Sequence, residues 1–197
     1  MGMKDLKNYD AAESLRDQRT ITIRAILPED KGLIIDGLNK VSAESLYRRF
    51  LILKKEFTAH DLKQVTEVDF VNVVALVAVL EKDGDEQIVG GGRYVRTTGQ
   101  RAEVAFLIGD PFHGLGIASL LFKHLVVIAR DSGITEFEAE VLPSNEAMLR
   151  VFARSGIPIT RTATRDSVHV LMKLTKEEPN STTGGCKHPA SSRTNGR

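Results

Sequence analysis

Only one cysteine occurs among the 197 residues, and there is no tryptophan. A lone Cys186 excludes an internal disulfide and suits a reducing compartment. No apolar run approaches the roughly 20 residues that a spanning helix needs, and residues 1–20 hold no apolar signal core; a cytoplasmic protein is expected. The opening Met1-Gly2 has Leu6 where a myristoylation signal requires Ser or Thr, so lipidation is set aside. Neither sign of charge is in surplus, with 27 Lys and Arg facing 26 Asp and Glu. That balance removes the broad basic field of a nucleic-acid or anionic-membrane binder and makes any anion site a local feature. The five histidines, at positions 60, 113, 124, 169 and 188, lack metal-ligand spacing, and no metal is expected. Beyond residue 175 there is no Ile, Val, Leu or Phe. Such a segment cannot offset its ordering entropy, so residues 176–197 are expected to form a disordered tail.

What is present is the patterning of one ordinary domain. Residues 1–19 are charged and poor in large apolar groups, which predicts an arm, partly helical at best; the fold is placed at 20–175. Ile21, Ile23 and Ala25 alternate with Thr22 and Arg24, the period of a half-buried strand. Helices follow from Pro28, from Ser42 and from the capping box Thr58-x-x-Asp61. Residues 73–80 and 87–95 are rich in β-branched side chains and read as a hairpin. Residues 102–108 are apolar at nearly every position, which predicts a central strand covered on both faces. Next come a helix ending at Gly133, a strand at 137–141, a helix capped by Ser144, and a closing hairpin over 157–164 and 167–174.

The join between the central strand and its helix holds the chemistry. Gly114, Gly116 and Ala118 leave little side-chain bulk where the helix begins, so its unpaired first-turn amides and positive dipole end can approach an anion. Counting from Gly114 puts Ser119 where a dinucleotide fingerprint needs its third glycine, and no P-loop run exists. What remains is His113-x-x-Gly116-x-Ala118. This resembles the Gln/Arg-x-x-Gly-x-Gly/Ala signature of the GNAT superfamily of N-acetyltransferases. Downstream, the run from Val141 through Asn145 and Phe152 to Gly156-Ile157 resembles that superfamily's motif B. Upstream, Tyr47, Arg49, Phe50 and Gly90-Gly-Gly-Arg93-Tyr94 look like the bacterial protein lysine acetyltransferases. The likeness covers residues 20–175.

The resemblance implies an α/β fold with a twisted mixed sheet of six or seven strands flanked by helices. It also implies acetyl-CoA as cosubstrate, its pyrophosphate held by main-chain groups of His113, Gly114, Leu115, Gly116, Ile117, Ala118 and Ser119. An imidazole at the Gln/Arg place carries a charge that varies near neutral pH, so a pH-dependent grip is expected there. Phe106, Leu107 and Ile108 would pair with the pantetheine arm as an added strand does, and supply a donor to the thioester oxygen. Asn145 either bonds that arm or simply caps its own helix.

Glu103 is the only acid within the central strand, and its place matches the general-base glutamate of the resembled acetyltransferases. A base is needed because a lysine of pKa about 10.4 is neutral in roughly one molecule in 2,500 at pH 7, a cost of about 4.6 kcal/mol. The expectation is a carboxylate in a desolvated setting. The residues alone also allow Glu103 to sit at the strand's wet end, paired with Arg101 or Arg93. Phe152 stands where many family members carry a tyrosine acid, so no general acid is assigned. The favoured acceptor is a protein lysine. A small amine on the same scaffold, or a non-catalytic acyl-CoA sensor, are the other readings.

Overall fold

The computed structural model describes residues 6–50, 57–82 and 84–174; the expected tail and Cys186 lie outside them. Strand β3 (Val73–Lys82) pairs antiparallel with β4 (Asp85–Arg96), as the hairpin pattern predicts. Its apolar run serves two layers. Val74, Leu76 and Ala78 join the larger core under helix α4 (Ile117–Asp131), while Ala75, Val77 and Val79 face a smaller cluster with Leu33 and Ile34 of α1 (Lys31–Leu38) and Val65 of α3 (Ala59–Thr66). Period-two alternation on a strand with both faces covered produces this division. The Thr58 box forms as expected: its hydroxyl accepts from the Asp61 N–H at 3.2 Å and the Asp61 carboxylate accepts from the Thr58 N–H at 2.8 Å.

The sheet has eight strands in the order β1-β2-β3-β4-β5-β6-β8-β7. Here β2 is Thr20–Ala25, β5 is Arg101–Ile108, β6 is Glu136–Val141, β7 is Ile159–Ala163 and β8 is Val168–Lys173. β5 and β6 are parallel, and every other pair is antiparallel. Helices α2 (Ala43–Phe50) and α5 (Glu146–Ala153) complete the domain.

The strand beyond the expected seven is β1, Asp10–Ser14, in the segment read as an arm that was partly helical at best. It pairs with β2 from Asp10↔Arg24 to Ser14↔Thr20. Its small and polar residues have little strand propensity of their own; contacts with α4 hold it. The Tyr9 O–H donates to His124 Nδ1, and His124 Nε2–H donates to the Glu13 carboxylate at 3.0 Å, which also pairs with Lys123 at 3.1 Å.

One buried ion pair ties β2 to the start of α1. Arg24 grips Asp30 through two bonds of 2.8 Å, and Asp30, 3% exposed, also accepts the Leu27 N–H. Removing Asp30 would leave the mostly buried Arg24 guanidinium with only the exposed Glu86 carboxylate, at 3.1 Å, to compensate its charge. Asp30→Ala is therefore expected to lower unfolding stability by about 3 kcal/mol in a denaturant titration. Glu67→Ala, which breaks the exposed Lys31–Glu67 pair at 2.8 Å, is expected to leave the unfolding midpoint almost unchanged.

Candidate active site

β5 and β6 pair only from Arg101↔Glu136 to Glu103↔Glu138 and then part. Antiparallel pairing makes successive residues direct their main-chain groups to alternate sides. The Thr97 N–H bonds the Arg101 carbonyl and the Gly109 N–H bonds the Val89 carbonyl, so residues 101, 103, 105, 107 and 109 turn their polar groups toward β4. Val104, Phe106 and Ile108 turn theirs toward the gap. Of the three residues expected to meet the cofactor arm through their backbones, Phe106 and Ile108 face the opening; Leu107 is committed to the ladder with Gly91.

The gap widens into a groove of about 680 Å³. Residues 105–108, expected under cover on both faces, are only partly buried because they form its wall. Close packing behind that wall explains the glycines of β4. A Cβ on Gly92 would lie 2.7 Å from the Phe106 ring, and one on Gly90 would lie 2.7 Å from Ile108. These glycines make room for the groove's side chains rather than for a ligand.

At the groove's end, Gly114 and Gly116 adopt φ of +80° and +96°, left-handed values that side chains resist. The chain reverses there and enters α4 with Gly116 as N-cap and no side-chain cap. Among the described residues, no N–H from 114 to 119 donates to a backbone carbonyl. Ile117, 1% exposed, fastens the helix start to the core while Ala118 and Ser119 lie toward the surface. Free amides and the positive dipole end give this turn, the cradle of the sequence reading, the groups with which an anion can be held. His113 is turned away from it: Nε2–H donates to the Ile108 carbonyl at 3.0 Å, and the ring lies 3.7 Å from the Asp110 carboxylate.

Glu103 lies on the groove wall and is exposed, so the desolvated setting expected for it is absent. Arg101 is engaged elsewhere, with Glu136 at 2.7 Å and Glu138 at 3.6 Å. Glu103 instead shares its field with Arg49 and Arg93. Burial, then the charge of Arg93, pulls the Arg49 guanidinium down to about 10, and Glu103 acts in the opposite direction.

Asn145, not Ser144, caps α5; its side-chain oxygen accepts the Met148 N–H at 3.2 Å. Asn145 also lines the groove. Phe152 is 1% exposed, its ring centroid 5.3 Å from Phe122 and 6.3 Å from Phe106.

One acid missed in the sequence joins the cradle to α2. Asp110 accepts the Ser42 N–H at 2.9 Å and the Ser45 hydroxyl at 2.7 Å. Desolvation alone would raise its carboxyl, but the bonds from Ser45 and Ser42 outweigh that and hold it below the usual carboxylate range. A depressed acid stabilises fully above its unfolded value, about 3.9, and the contribution is lost as pH falls through the lowered folded value. Asp110→Ala is expected to speed amide exchange in α2 by roughly 10- to 100-fold at pH 7, since bonds to a charged group are worth about 1.5 to 3 kcal/mol. The wild-type protein is expected to loosen there only below about pH 3.9.

The sequence pattern of the Acetyltransferase (GNAT) family matches residues 44–157. An acetyltransferase of Pseudomonas aeruginosa is 30% identical over 163 residues, covering 82% of this chain and 87% of its own. The acetyltransferase Pat of Mycolicibacterium smegmatis is 35% identical over 136 residues, covering 68% of this chain. This chain spans only 40% of the length of that Pat. Among solved structures, the GNAT domain of S. lividans PAT aligns with a TM-score of 0.75 and 34% identity, over 83% of this chain and 96% of that one.

Proposed function

The chain belongs to the GNAT acetyltransferase family, and from that premise we propose that it moves an acetyl group from acetyl-CoA directly to an amine, with a protein lysine side chain as the favoured acceptor. One observation carries the reading: the unclaimed amides of residues 114–119 stand at one end of a groove whose opened strand leads back to Glu103. Five residues of strand at about 3.3 Å each put Glu103 about 17 Å from Ile108, room for a long acyl-carrying arm laid along β5. The groove's charge fits the ligand. Its lining carries five arginines (16, 48, 49, 150 and 154) against two glutamates (103 and 140), a local excess of three in a chain of net charge +1.

The roles follow from position. Main-chain N–H groups of Phe106 and Ile108 face the gap and are placed to pair with the arm; a preorganised donor to the oxygen of a thioester under attack is worth about 2.7 to 4 kcal/mol. Glu103 takes the amine's proton, through water given its exposure. The amine nitrogen then forms the new bond to the acetyl carbon and sheds its second proton to solvent, the carbon–sulfur bond breaks, and the thiolate departs. Buried Phe152 offers that sulfur no proton, so solvent supplies it or the thiolate leaves unaided.

The acceptor assignment is supported by the likeness to proteins named Pat and is tested by fractionation. The protein is incubated with labelled acetyl-CoA and a cell lysate split into macromolecular and small-molecule pools. Label on protein lysines is expected. Label confined to small amines would replace the lysine reading with the small-amine one, and label in neither pool would favour a sensor.

A further inference from the structure

The cradle has no cation of its own. Residues 110–122 contain no Lys or Arg, and His113, at the place where the family carries Gln or Arg, is turned back onto the Ile108 carbonyl. The structure brings a cation from almost a hundred residues away. In the turn between β1 and β2, the Arg16 main-chain N–H donates to the Leu115 carbonyl at 3.2 Å, and its guanidinium donates to the Gly114 carbonyl at 3.0 Å. The side chain crosses Gly116 so closely that a Cβ there would lie 3.6 Å from Arg16 Nε. We propose that Arg16 is the charged side chain that grips the diphosphate of the acyl carrier, doing from the β1–β2 turn what no residue of the cradle segment does. The inference rests on the acetyl-CoA reading above.

Three features separate Arg16 from an ordinary surface arginine. The first is fixed placement. Leu15, 4% exposed, anchors the turn in the core, and the Leu15 N–H closes it onto the Arg19 carbonyl. Glu13 pins the adjoining strand to Lys123 and His124 of α4, the same helix whose first amides form the cradle. The second is free capacity. A guanidinium has five N–H donors, and the bond to Gly114 uses one. The third is uncompensated charge. Arg48 and Arg150, elsewhere on the groove, carry carboxylate partners in Glu44 and Glu146. The neighbouring Asp17 pairs with Arg19, and among the described residues no carboxylate pairs with Arg16. A planar fork beside a diphosphate site suits two phosphate oxygens at once, which an ammonium does not reproduce.

The test is calorimetric titration of the wild-type chain, Arg16→Gln and Arg16→Lys with CoA and with 3′-dephospho-CoA. Arg16→Gln keeps a donor for the Gly114 carbonyl and removes the charge. It is expected to weaken both ligands equally, by about 10- to 100-fold, the scale of hydrogen bonds to a charged group. Arg16→Lys should fall between it and the wild type. The slope of log affinity against log salt should become shallower in Arg16→Gln alone. Affinity within twofold of wild type in Arg16→Gln would overturn the inference while leaving the acetyl-CoA reading intact. A loss seen with CoA and not with dephospho-CoA would also overturn it, by assigning Arg16 to the 3′-phosphate. A wild-type chain that binds neither ligand would instead remove the acetyl-CoA reading itself.

Discussion

Glu103→Gln is expected to reduce acetyl transfer at pH 7 by a hundredfold or more while acetyl-CoA affinity stays within about twofold of wild type. The amide keeps the shape of the side chain and loses its charge and its ability to accept a proton. The carboxylate can take that proton because it is exposed on the groove wall, and among the described residues no hydrogen bond or ion pair occupies it. Arg101, the neighbour best placed in sequence to neutralise it, is held by Glu136 and Glu138 on β6. The pH profile gives a second readout. Without a base the rate should follow the small fraction of neutral amine and climb about tenfold per pH unit toward the lysine pKa near 10.4. A variant that transfers as fast as wild type at pH 7 would remove Glu103 from the mechanism. A variant that binds acetyl-CoA normally and has lost transfer would exclude the sensor reading, because a sensor needs no proton acceptor.

Gly116→Val is expected to weaken acetyl-CoA binding by more than a hundredfold. At φ of +96° a β-branched residue is strained whatever space surrounds it, at a cost of about 1 to 3 kcal/mol. The added methyls would also stand over the first-turn amides and against Arg16. Gly116→Ala separates the two effects: its Cβ meets Arg16 Nε at 3.6 Å, an ordinary contact, so most of its loss comes from backbone strain. The valine variant should therefore bind more weakly than the alanine variant, and equal affinities would count against an anion seated on these amides.

Local signals were legible where neighbours in sequence are neighbours in space. The Thr58–Asp61 box, the β3–β4 hairpin, the closing hairpin and the glycine turn into α4 all follow from spacing of a few residues. Non-local partners account for what was missed. Strand β1 reads Asp-Ala-Ala-Glu-Ser and has no apolar alternation to announce it; it exists because Tyr9 and Glu13 meet His124 more than 100 residues later. Arg16 was hidden for the same reason, since its relation to Gly114 depends on that strand being docked. The apolar run 102–108 was read as covered on both faces, because periodicity cannot tell a buried strand from one that loses its neighbour halfway along. The cap of α5 moved by one residue, from Ser144 to Asn145, a choice between two good capping side chains that composition does not decide.

The central claim is that main-chain N–H groups of residues 114–119 hold the diphosphate of an acyl thioester carrier. Calorimetric titration of the folded wild-type chain with acetyl-CoA tests it most directly. Saturable binding at one site per chain, weakening as salt is raised, is expected. No heat and no saturation at millimolar acetyl-CoA would contradict it.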